Sequence, residues 1–164
     1  MKSDMGRRTF LGAAAASIGA LIAGGCGRDE AHAAERFEVT KTAAEWKRIL
    51  KPDQYRVLRE AATERAGTSP LDREKRRGTF VCAGCALPLY RSADKFDSGT
   101  GWPSFTRPIA NAVRTKPDRS FFVTRTEVHC RRCGGHLGHV FDDGPKPTGK
   151  RFCMNGAAMK FVAA

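Results

Sequence analysis

The chain predicts a β-rich α+β domain, with helices ahead of a core of short strands, and three observations carry that reading. Thr42-Ala43-Ala44-Glu45 has the form of a capping box, and Trp46, Ile49 and Leu50 follow at helical spacing until Pro52. Beyond Gly78 the texture changes to short apolar stretches alternating with Gly, Pro and Asp, the pattern of many short strands joined by turns. Two C-x-x-C pairs, Cys82/Cys85 and Cys130/Cys133, sit in that second part, placed to tie sequence-distant strands together.

The first helix is expected to run from Thr42 as its N-cap, with Glu45 reaching back. A second starts at Pro52 and lines Tyr55, Leu58 and Ala61 or Ala62 along one side. Residues 66–77 are polar and turn-rich, which suits a surface connection. Strands are then expected at Thr79–Val81, Phe121–Thr124, Glu127–His129, His139–Phe141, Arg151–Met154 and Met159–Val162. Turns fall at Ser98–Gly101, Gly134-Gly135 and Asp142–Pro145. There is no internal repeat beyond the two knuckles.

Ahead of this domain stands an address label of about 33 residues. Gly6-Arg7-Arg8-Thr9-Phe10-Leu11 and the alanine-rich run that follows read as a twin-arginine export signal, and the protein is therefore expected in the periplasm. The run is short and weakly apolar for a membrane span. Two processing sites compete. Ala31-His32-Ala33 fits cleavage that releases residues 34–164, whereas Ile22-Ala23-Gly24-Gly25-Cys26 resembles a lipobox that would anchor the protein through Cys26. Either route removes Cys26 as a free thiol.

Residues 34–164 suffice for one core and not for two. The chain carries a formal net charge of +12, of which residues 1–33 supply one unit. Such a balance raises nucleic acid as a partner, but export argues against it. The basic residues, among them Lys47, Arg56, Arg73, Arg114 and Lys150, are scattered as on a solvated face. No nucleic-acid partner is expected.

In Cys82-Ala83-Gly84-Cys85 and Cys130-Arg131-Arg132-Cys133, two intervening residues let both thiolates of a pair address one ion. Four such sulfurs make a closed tetrahedral zinc site, which is structural because it leaves no open position. Two disulfides are the alternative in an oxidising compartment. Cys153 is then the thiol left over. In a strand, Arg151, Cys153 and Asn155 share one face while Phe152 and Met154 take the other. A guanidinium beside a thiol favours the thiolate, so Cys153 is a candidate nucleophile; a buried core cysteine is the plainer reading. His136 and His139 are candidate general acids or core histidines, and Gly138 between them permits the bend that would make them converge. Trp102 lies in a glycine-flanked loop, as a core residue or as one wall of a pocket for a small apolar group.

Together these segments resemble the B-type peptide methionine sulfoxide reductases (MsrB). The resemblance runs from about Thr42 to Val162. Its segments are Gln54–Arg59, Cys82-Ala83-Gly84-Cys85, Lys95–Gly99, Gly101-Trp102-Pro103-Ser104-Phe105, His136–Pro145 and Arg151-Phe152-Cys153-Met154-Asn155. It implies two antiparallel sheets with N-terminal helices, a structural zinc held by Cys82, Cys85, Cys130 and Cys133, and reduction of the R epimer of methionine sulfoxide in proteins. Cys153 is then the nucleophile, with His139 and His136 protonating the departing oxygen. Arg151 and Asp143 organise those histidines and the thiol, and Asn155 is a polar support. Trp102 packs on the substrate methyl, with Phe105 beside it. Many relatives carry a resolving cysteine two residues before the Trp, where this chain has Thr100. Recycling of a Cys153 sulfenic acid is accordingly expected from an external thioredoxin-like thiol, acting on a monomer. A zinc-ribbon binding module would leave Cys153 and the histidines unexplained. A C-x-x-C oxidoreductase would need those pairs metal-free at a helix start.

Overall fold

The computed structural model describes residues 35–120 and 123–164; the segment expected to be an export signal, both expected processing sites and Cys26 lie outside them. No helix among the described residues is long and apolar enough to cross a membrane.

Helix α1 spans Ala43–Ile49, and its capping box forms as the sequence requires. The Glu45 amide donates to Thr42 Oγ1 (3.2 Å), and the Thr42 amide donates to Glu45 Oε2 (2.7 Å). Trp46 and Leu50 turn inward; Ile49, off that stripe, is exposed. Helix α2, Pro52–Glu60, starts on the fixed φ of its proline and ends at Ala61 in the left-handed region, burying Val57 and Leu58.

Among the described residues nine strands follow: β1 Gly78–Cys82, β2 Pro88–Arg91, β3 Lys95–Phe96, β4 Ser104–Phe105, β5 Val113–Asp118, β6 Arg125–Cys130, β7 His136–Phe141, β8 Arg151–Met154 and β9 Met159–Ala163. They form two antiparallel sheets, one ordered β2-β1-β9 and the other β3-β4-β8-β7-β6-β5. This is the mainly β architecture with N-terminal helices that the sequence predicts. One expected strand is displaced. Val123 and Thr124 belong to no strand, and Phe121 and Phe122 lie outside the described residues; the strand before β6 is Val113–Asp118 instead. It is an edge strand and largely exposed, so Pro117 costs it no ladder bond and no apolar alternation marks it.

The core lies between the sheets. Tyr90 of β2 stacks on Phe105 of β4 with centroids 4.3 Å apart, and Phe80 of β1 meets the same ring edge-on at 4.9 Å. Such ring pairs contribute about 0.5–1.5 kcal/mol beyond their burial. The Tyr90 hydroxyl, fully buried, donates to Met154 Sδ at 3.1 Å, which ties the small sheet to the end of β8. The helices cover the knuckle end: the Arg59 guanidinium donates to the Cys133 carbonyl (2.9 Å) and lies over the Trp46 ring.

Candidate active site

Strand β8 runs between β4 and β7, and the register places Cys153 opposite Ser104 on one side and His139 on the other. Directly opposed residues of adjacent strands project to the same face, so Ser104, Cys153 and His139 form one row across the sheet. The next row, Phe105, Phe152 and Val140, projects to the core face. That alternation corrects one expectation. Phe105 does not reach the cleft at Cys153; it is wholly buried against Tyr90 and Phe80.

Cys153 lies at a cleft of about 120 Å³ that Trp102, His139, Asn155, Phe141, Arg125 and Thr63 also line. A larger cavity of about 660 Å³, lined in part by Glu64, Ser69 and Leu71, has neither cysteine nor histidine on its walls. Burial pushes the Cys153 thiol up from its ordinary value. Arg151 and the hydroxyls of Thr100 and Ser104 pull the other way. These hydroxyls are linked: Ser98 Oγ lies 2.8 Å from Thr100 Oγ1 and 2.7 Å from Ser104 Oγ. Arg151 is held by Asp143 through two bonds of 2.9 and 2.8 Å and lies over the Phe141 ring.

His136 and His139 do converge, with ring centroids 5.4 Å apart. The sheet has a register shift where Val128 faces Gly138 and His129 faces His136, so β7 carries an extra residue there. Gly138 is required for a further reason. A Cβ on it would fall 2.1 Å from the Cys153 carbonyl oxygen, closer than any side chain can come. The resemblance gives Arg151 and Asp143 the role of organising these histidines; the hydrogen-bond partners of the two rings are other residues. His139 Nε2 donates to Asp118 Oδ2 at 2.7 Å, and His136 Nδ1 donates to Glu127 Oε1 at 3.0 Å. Ser120, through its hydroxyl and amide, together with His139 and Arg125, holds the Asp118 carboxyl well below its ordinary value. Burial would raise Glu127, but His136 and Lys116 outweigh it and keep it low. Each acid is thus an anion that fixes one ring nitrogen as N–H. In His139 this leaves Nδ1 to gain and lose a proton. Burial lowers the His139 pKa, with Arg125 and His136 adding to it and Asp118 opposing. Asp118 escaped the sequence reading because its strand did; Glu127 was in reach, as the residue two before His129 in an expected strand.

Asn155 is buried and fully engaged, its amide donating to the Leu137 carbonyl (3.1 Å) and its oxygen accepting from the Glu64 amide (2.9 Å). The Trp102 indole donates to the Glu64 carbonyl at 3.1 Å.

The four knuckle cysteines meet where β1 and β6 end, one pair from each sheet. All four sulfurs lie within 4.8 Å of one another, with Cys82 to Cys133 at 3.7 Å and Cys85 to Cys130 at 3.5 Å. A tetrahedral site with metal–sulfur bonds of about 2.3 Å has sulfur–sulfur edges of about 3.8 Å, so the donor set fits such an ion. These contacts run between knuckles and are far longer than a disulfide bond of about 2.05 Å; all four cysteines are free. After each pair the chain reverses through a left-handed residue, Ala86 (φ 58°) and Gly134 (φ 66°).

A family model described as the SelR domain matches residues 50–163. The peptide methionine sulfoxide reductase MsrB of Leptospira interrogans is 50% identical over 126 residues, covering 76% of this chain and 96% of that protein. The protein of the same name from Methanosarcina barkeri is 52% identical over 124 residues, covering 75% and 87%. Peptide methionine sulfoxide reductase B1, chloroplastic, of Arabidopsis thaliana is 50% identical over 137 residues, covering 82% and 68%. With half the positions identical over nearly the whole described domain, the chain belongs to the MsrB family of peptide methionine sulfoxide reductases.

Proposed function

We propose that the chain reduces methionine sulfoxide of R configuration in proteins, with Cys153 as the nucleophile. The observation that carries this is a thiol in a small cleft with a carboxylate-anchored histidine beside it and an indole on its wall. The cleft, about 120 Å³, is of a size for a small group rather than a large one. On this reading the methyl packs on Trp102, and His139 protonates the sulfoxide oxygen as Cys153 attacks. The sulfoxide sulfur gains two electrons and the cysteine sulfur loses two. The oxygen ends as the hydroxyl of a sulfenic acid on Cys153, and methionine is released. Two equivalents of an external thiol then restore Cys153, forming their own disulfide and one water. Thr100 stands where a resolving cysteine would be needed, and the other cysteines of the described residues belong to the knuckles. A dithiol partner of thioredoxin type suits that step, with a single chain as the acting unit.

Zinc is the ion we assign to Cys82, Cys85, Cys130 and Cys133. Bound there it would supply no chemistry to the sulfoxide, only a fixed join between the sheets.

The test is turnover by the full chain on separate epimers of a methionine sulfoxide peptide with dithiothreitol. Turnover of the R epimer alone is expected, falling to background in Cys153→Ser. Dimedone should label Cys153 after one turnover without reductant. Unchanged turnover in Cys153→Ser would refute the assignment, and an intramolecular disulfide on Cys153 would refute external recycling.

A further inference from the structure

Residues 61–67 join α2 to the rest of the chain and hold no candidate from the sequence, yet they form one side of the cleft at Thr63. Behind them lies the cavity of about 660 Å³, which Thr63 and Glu64 also line. Five of the seven residues, Ala61, Thr63, Arg65, Ala66 and Gly67, are exposed, so packing does little to hold the segment. Hydrogen bonds do, and they converge on Glu64. Its carboxylate accepts from the Gly156 amide (2.5 Å) and the Ala157 amide (2.8 Å), the first turn after Asn155. Its own amide donates to Asn155 Oδ1 at 2.9 Å, and its carbonyl accepts from the Trp102 indole at 3.1 Å. Nearby, the Gly67 amide donates to the Gly101 carbonyl at 2.7 Å.

We infer that Glu64 is a positioning residue that sets the gap between the Trp102 indole and the Cys153 strand, and thereby the fit of the substrate's methyl sulfoxide end. The side chain grips the turn that follows β8, and the backbone of the same residue carries the indole. A residue that bonds both walls of a cleft fixes their separation. Burial raises the Glu64 carboxyl, and the two amides oppose that, which is consistent with a carboxylate kept half-buried for those bonds. The inference rests on the reductase reading above for its substrate, but the indole's position is measured without turnover.

Glu64→Gln keeps one oxygen acceptor and loses the charge; Glu64→Ala loses both bonds. In the full chain, KM for the R-sulfoxide peptide is expected to rise about fivefold in the first and about tenfold or more in the second. kcat should stay within about twofold, because a wall that holds substrate and transition state alike acts on binding. The chain has two tryptophans, so its proton–nitrogen spectrum carries two indole signals, the Trp102 one identified by its loss in Trp102→Phe. That signal is expected to shift and exchange faster in both Glu64 variants while the Trp46 signal holds. A Trp102 signal unmoved in Glu64→Gln overturns the inference, as does an unchanged KM with the signal moved. If Glu64→Ala does not fold, Glu64→Gln decides alone. Absence of turnover in the wild type refutes the reductase reading, and the indole signals still decide whether Glu64 places Trp102.

Discussion

Cys153 and His139 face each other across one ladder position, and their titrations pull apart. Burial holds the thiol above its ordinary value of 9.0 and the imidazole below its ordinary 6.5. At neutral pH the predominant pair is therefore thiol and neutral imidazole. The reactive pair, thiolate and imidazolium, holds the same single proton, so the two forms interconvert without exchange with solvent. Lowering the pH through the His139 pKa adds a second proton and removes the thiolate. Raising it through the Cys153 pKa takes the only proton and removes the acid. kcat/KM is thus expected to be flat over an interval wider than 6.5 to 9.0, falling on both sides. Asp118→Asn removes the anion that supports the imidazolium, so the acid limb should move to lower pH with a smaller plateau value. A profile that climbs with pH and never falls would leave no place for an acid at His139.

At the level of elements, the period of two along each strand decides which residues meet, and it was partly readable. Arg151, Cys153 and Asn155 stand on the face the alternation assigns, and Cys153 and Asn155 share the cleft. The same alternation, applied to Ser104 and Phe105, would have sent the phenylalanine to the core, but β4 has only two residues and no pattern of its own. β2, β3 and β5 were missed for similar reasons: two are short, and the third is an exposed edge strand interrupted by Pro117. What a one-dimensional pattern omits is lateral order, and it is lateral order that brings Asp118 of β5 to His139 of β7 across β6. Gly138 shows the same limit. The sequence marks it as a bend, whereas its bare Cα makes room for the Cys153 carbonyl. Gly138→Ala is expected to cost about 1–3 kcal/mol in a chemical-denaturation curve through overpacking. It should also cost about a hundredfold in kcat/KM, because the strain falls on the nucleophile's own strand. Gly149→Ala supplies the contrast: its φ is 67° with nothing within 4 Å, so it should lose some stability and leave kcat/KM alone. Equal losses of activity in the two would mean that backbone freedom, not space, is what Gly138 provides.

Across the whole molecule, the two sheets are joined at separate places by different means. Toward the cleft the join is apolar, through Tyr90, Phe80, Phe105 and Met154. At the other join the knuckles of β1 and β6 bring four sulfurs together under Trp46 and Leu58, with Cys82, Cys130 and Cys133 buried. Four thiolates that close would repel one another strongly without a cation, and four neutral thiols would leave the helices packed over a weak contact. A divalent ion resolves this by replacing four protons with two positive charges and four bonds, and its binding energy becomes folding energy. The small sheet has only three strands and the helices are short, so the knuckle join adds to the apolar one in holding both to the large sheet. Removal of metal by a chelator is accordingly expected to lower the thermal midpoint by about 10 °C or more, with release of one zinc per chain. Cys82→Ser should reproduce the loss of stability, and any folded remainder should retain turnover, since Cys153 and His139 lie on strands that pair directly. Purified protein that contains no metal and has a mass four protons low would instead mean two knuckle disulfides, and the zinc assignment would fall.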